Sequence, residues 1–146
     1  GYNVSNLTGE IKRIMGIDRK HTIIIVGAGN IGHALTNFPG FAETGFEVKA
    51  LFDVNEDLIG TEIKGHPVLD VKDMDEYIRE NQIDIGVIAA RRSAAQEIAD
   101  RMCAAGIRGI WNFVPLDITT SVPIENVHLS ESLSTLSYKI EHGLLD

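Results

Sequence analysis

Unbroken apolar runs alternate along this chain with stretches of helical period. Ile23, Ile24, Ile25 and Val26 are β-branched and apolar without a break, as a strand covered on both faces in the middle of a parallel sheet requires. Residues 46–53 mix apolar and charged positions and end on an acid, residues 83–89 form another buried run, and residues 107–111 a further short one. Helical spacing fills the intervals. Val4, Leu7, Ile11 and Ile14 predict a short amphipathic helix over 4–15 between Asn3 and Gly16. A helix opened after residue 27 must stop near Phe38, because Pro39 disfavours helical backbone before it. A loop carrying Gly60, Gly65 and Pro67 then leads to a helix over about 72–80 with Asp70 or Val71 at its edge. Ser93 and Gln96 form a capping box for a helix with Ala95, Ile98, Ala99 and Met102 on one face, ended by Gly106. Ser130 is placed to cap a last helix, 130–142, whose stripe of Leu133, Leu136 and Ile140 needs a partner surface.

Strands alternating with helices imply parallel strands joined by right-handed crossovers, hence an α/β fold with a doubly wound, Rossmann-like sheet. The 146 residues suffice for one such domain, burying roughly two-thirds of the surface an unfolded chain exposes. A net charge of −8 argues against these residues neutralising a nucleic-acid backbone. The single cysteine, Cys103, excludes an intrachain disulfide and fits a reducing cytoplasm. No apolar stretch is long enough to span a membrane and no export signal is present. The first residue is Gly1 rather than methionine, so an N-terminal part is expected to precede these residues.

Gly27, Ala28, Gly29, Asn30, Ile31 and Gly32 form a GxGxxG turn between the first strand and its helix. The first glycine allows the tight turn, the second lets a pyrophosphate reach the backbone, and the third lets helix and strand pack closely. Bare amides and the helix dipole then face the anion. Asp53 follows 21 residues after Gly32, at the end of the next strand, where it would accept hydrogen bonds from the adenosine ribose; alternatively it starts a turn with Asn55. A carboxylate there favours NAD(H) over NADP(H), since like charges 4 Å apart repel by about 4 kcal/mol at an effective dielectric of 20.

Ligands of open α/β sheets lie beyond the carboxyl ends of the strands, which makes Ala89, Ala90, Arg91 and Arg92, and Asn112 to Pro115, the candidates for the nicotinamide half. Arg91 and Arg92 either reach a phosphate or ribose or stand solvated before a helix. No catalytic or metal site emerges: His21, His33, His66, His128 and His142 make no metal-binding pattern, and Cys103 reads as a small, partly buried helix residue. Little chain remains for the substrate domain a dehydrogenase needs.

Together these segments resemble the C-terminal part of the Rex family of redox-sensing transcriptional repressors. The similarity rests on VGAGNIGHAL at 26–35, NFPGF at 37–41, FDVN at 52–55, AAQEIAD at 94–100, GIRGIWNFVP at 106–115 and ENVHLSESLSTLSY near the end. The opening Gly1, Tyr2, Asn3, Val4 with Leu7 resembles the segment where Rex proteins leave their winged-helix domain. The resemblance implies a homodimeric, non-enzymatic sensor of the NADH to NAD ratio, with a C-terminal helix exchanged between subunits and operator DNA bound only through the missing winged helix. It implies residues 1–18 as a linker helix, 19–128 as the dinucleotide-binding domain and 129–146 as the dimerisation helix. It puts Gly27, Gly29, Asn30, Ile31 and Gly32 on the pyrophosphate, Asp53 on the ribose, and Ala90, Arg91, Arg92, Phe113, Val114 and Pro115 near the nicotinamide half. The chain departs from the family in reading Ala90-Arg91 where Val-Pro is usual, and His128 where an acid is frequent. Two rivals are a nucleotide-binding fragment of an NAD-dependent dehydrogenase or CoA-binding ligase, and a Rex paralogue with altered sensing.

Overall fold

A computed structural model describes residues 20–146; the helix expected over 4–15 and the linker 1–18 lie outside them. The elements follow the order β1 (His21–Val26), α1 (Asn30–Thr36), α2 (Gly40–Glu43), β2 (Phe46–Asp53), β3 (Glu62–Ile63), β4 (His66–Asp70), a 3-10 turn (Val71–Asp73), α3 (Met74–Asn81), β5 (Ile85–Ile88), α4 (Arg92–Ala105), β6 (Gly109–Asn112), β7 (Ile124–Asn126) and α5 (Leu129–Glu141). Among the described residues seven strands form one sheet in the order β3-β4-β2-β1-β5-β6-β7. All neighbours are parallel except β3 and β4. The described strands therefore begin in the middle, wind out through β2 to one edge, and return to wind out the other way from β5. The two directions part between β1 and β5, where an open α/β sheet leaves a crevice.

Successive side chains of a strand point to opposite faces, and β1 feeds both. Ile24 and Val26 join a cluster with Phe52, Met74, Ile78, Ile98 and Met102 under α3 and α4. Ile23 and Ile25 join Leu51, Val68 and Val87 on the other face, with Leu35 and Phe41 packed against them. That two-sided burial is why residues 23–26 of the first strand have no polar position to alternate with.

Several expectations needed correction. The loop expected before α3 contains the β3–β4 hairpin and β4, which pairs with β2 from Val68 to Asp70. Pro67 stands one residue before that ladder begins, so its missing N–H removes no bond from it. Ser93 does not cap α4: the helix begins one residue earlier, its N-cap is Arg91, and no side chain caps it. Gln96 instead holds the 119 backbone, accepting from Thr119 N at 2.9 Å and donating to its carbonyl at 2.8 Å. Ser130 likewise lies inside α5, whose N-cap is His128. Asp70, by contrast, does cap, accepting from Lys72 N at 3.0 Å. Cys103 is half-buried on α4, its Sγ 3.1 Å from Thr120 Oγ1.

Candidate functional site

The turn from β1 into α1 is shaped by glycines with separate tasks. Gly27 adopts φ 115°, and a Cβ there would collide with the Ala89 carbonyl. A Cβ on the buried Gly32 would collide with the Gly27 carbonyl, so this glycine lets α1 fold back over the turn. Gly29 differs: its backbone is extended and an added Cβ would meet nothing within 4 Å. No steric contact within the fold therefore demands glycine at 29.

The first internal bond of α1 runs from His33 N to the Gly29 carbonyl at 2.9 Å. Among the described residues the N–H groups of Gly29, Asn30, Ile31 and Gly32 find no acceptor. They are the orphan donors of a helix start, beside a position cleared of side chains. Such a set of open donors suits an anion.

Asp53 closes it on one side. Its Oδ2 accepts from Ala28 N at 2.8 Å and its Oδ1 from Asn55 N at 2.8 Å. The turn with Asn55 therefore forms, and because a carboxylate has about four acceptor positions, about two remain open.

A cleft of about 720 Å³ runs across this end of the sheet and brings together Gly27, Gly29, Asp53, Ala90 and Arg91. It continues between Val54 and Leu58 on one wall and Ala94 and Ile98 on the other. Arg92, Phe113, Val114 and Pro115 line a second cavity of about 410 Å³, on the β6 side, with His128 and Glu131 at its rim. Asn30, Ile31 and Gly32 line neither. Arg91 and Arg92 are exposed, and their guanidinium groups make no hydrogen bond or ion pair among the described residues. The Ala90-Arg91 departure thus sets an uncommitted cation in the cleft.

The loop bearing Phe113 to Pro115 is shaped by Asn112, which is 1% exposed. Its Nδ2 donates to the Val114 carbonyl and to Asn126 Oδ1, each at 2.9 Å, and its Oδ1 accepts from Val114 N at 2.9 Å. A buried amide satisfied on both ends fixes a backbone conformation. Sequence reasoning placed Asn112 among the candidates beyond the strand end but not as the residue that fixes this loop, since its partner Asn126 is 14 residues away. It also missed Val54, Leu58, Glu97 and Arg101 along the cleft, which come from separate segments and carry no motif. His128, the second family departure, pairs with Glu131 at 3.5 Å on the exposed start of α5.

Comparison with known proteins gives a consistent picture. A family model described as CoA binding domain matches residues 18–116. The chain is 48% identical over 145 residues to the redox-sensing transcriptional repressor Rex of Clostridioides difficile (strain 630), covering 98% of the chain and 69% of that protein. It superposes with a TM-score of 0.91 and 43% identity on a crystal structure of RSP in complex with β-NADH, covering 98% of this chain and 70% of the other. The same values of 0.91 and 43% hold for RSP in complex with β-NAD+ and operator DNA, of which the chain covers 67%.

Proposed function

This chain belongs to the CoA-binding domain family and to the Rex family of redox-sensing transcriptional repressors, and from that premise we propose that it is the NAD(H)-binding sensor unit of such a repressor. One observation carries the reading: Gly29 is open where folding would tolerate a side chain, and it stands between unsatisfied amides and the Asp53 carboxylate. Relatives of known structure have been captured with NADH, and with NAD+ and operator DNA. Coenzyme A fits less well, because its adenosine ribose carries a 3′-phosphate that would face Asp53. NADP(H) is disfavoured in the same way.

Sensing requires unequal binding by two states of the protein, since a ligand with equal affinity for both shifts nothing. Moving such an equilibrium from 1:99 to 99:1 takes about 5.5 kcal/mol of differential binding, which two sites of a dimer share. The dimer forms through α5, of which no residue is buried. Arg91 meets the pyrophosphate and strengthens binding of both oxidation states alike, while Arg92 and Phe113 to Pro115 surround the nicotinamide half. The net charge of −8 assigns DNA contact to other parts of the repressor. The unit works in the cytoplasm, as a regulator rather than an enzyme; among the described residues no helix is long and apolar enough to cross a membrane.

The reading is tested by calorimetric titration of the chain with NADH, NAD+, NADPH, coenzyme A and ATP. NADH should bind tightest and NADPH and coenzyme A weakly. Equal affinities for NADH and NAD+ would remove the sensor assignment, and preference for coenzyme A would replace the cofactor. Turnover of a hydride-transfer substrate would favour the dehydrogenase alternative.

A further inference from the structure

We propose that Glu97 reads the adenine ring at its exocyclic amine and makes the cleft selective for a 6-aminopurine, an assignment that rests on the cofactor reading above. Beyond Asp53 the cleft is walled by Val54, Leu58, Val71, Ala94 and Ile98. Val54 is 64% exposed, a large apolar side chain with one face open to the cleft. Such walls suit a flat heteroaromatic ring continuing from a ribose held at Asp53.

Glu97 and Arg101 add charge to this far end. They stand four residues apart on α4 with the acid nearer the N-terminus, the arrangement that favours an ion pair. No pair forms. Arg101 is drawn across to α3, its Nε donating to Asp75 Oδ1 at 3.0 Å and its Nη2 to the Val71 carbonyl at 2.7 Å. The Glu97 carboxylate is left without a hydrogen-bond or ion-pair partner among the described residues while lining the cleft. An ionised carboxylate only accepts. It complements the amino group of adenine and opposes the carbonyl that hypoxanthine or guanine carries at the same position.

The test compares NADH with reduced nicotinamide hypoxanthine dinucleotide, which carries a carbonyl in place of the 6-amino group and a proton on N1, by calorimetry on the 146-residue chain. NADH should bind about tenfold more tightly, the effect of one charge-assisted hydrogen bond at an exposed site. Glu97→Ala should bring the ratio close to one by weakening NADH. Glu97→Gln, whose amide can donate to a carbonyl as well as accept from an amine, should narrow it by improving the analogue. A ratio that Glu97→Ala leaves unmoved while NADH still binds overturns the assignment and spares the cofactor reading. Failure of the unsubstituted chain to bind either dinucleotide overturns both.

Discussion

Adding one methyl group at Gly27 would drive it into the Ala89 carbonyl on a left-handed backbone, and at Gly32 into the Gly27 carbonyl, whereas at Gly29 it would enter open space. Gly27→Ala and Gly32→Ala should therefore each cost more than about 2 kcal/mol of stability in urea unfolding. Gly29→Ala should stay within about 1 kcal/mol of the parent yet weaken NADH at least about tenfold. Unchanged affinity in the folded Gly29→Ala protein would refute the phosphate cradle. A second test at this scale concerns Asp84. Burial alone would raise its carboxyl, but the Thr22 amide at 3.1 Å, Arg108 at 3.3 Å and His21 at 3.4 Å hold it below the ordinary carboxylate value. Its stabilisation is complete above the unfolded value of about 3.9 and is lost as pH falls through the lower native value. Asp84→Asn should lower stability at pH 6 by about 1 kcal/mol and flatten the decline below pH 4; parallel curves would refute the coupling. Residue roles were only half legible beforehand. The acid closing β2 was visible in the sequence, but its bond to Ala28 N arises from the close approach of the glycine turn, which spacing cannot reveal.

Elements were legible where they were long and covered. β1 and α4 announce themselves because two-sided burial leaves a run of Ile and Val, and one-sided burial leaves Ala95, Ile98, Ala99 and Met102 at helical spacing. The β3–β4 hairpin stayed hidden. Its strands have two and five residues and contain Pro67, and its turn, Lys64 and Gly65, imitates a loop. Lys64 and Gly65 have φ of 52° and 83°, the pair of positive values that a two-residue type I′ turn demands and that Asn-Gly meets best. Lys64→Asn should accordingly raise stability by about 0.5 kcal/mol, read as a higher urea midpoint. A lower midpoint would show that the lysine side chain contributes what its backbone conformation costs.

At the scale of the whole molecule, the doubly wound order and its crevice follow from alternating strands and helices, and the reading from sequence reached them. The sequence expectation of a dimer through α5 finds no covering surface among the described residues. Leu133 is 69% and Ile140 70% exposed on a helix with no buried residue, an apolar stripe of the kind that marks an interaction surface. Sedimentation at tens of micromolar should give a dimer. Leu133→Glu with Leu136→Glu should give a monomer that still binds NADH in the cleft. A monomeric parent at that concentration would remove α5 as a dimerisation helix.

The bond from Asp53 to Ala28 N also constrains how cofactor preference can evolve. Exchange toward a phosphorylated nucleotide ordinarily begins by replacing such an acid with a neutral or basic residue. Here the same step unfastens the phosphate turn. A saturation library at position 53 alone should yield variants that lose NADH without gaining NADPH, and those that switch should carry a second substitution that anchors the turn anew.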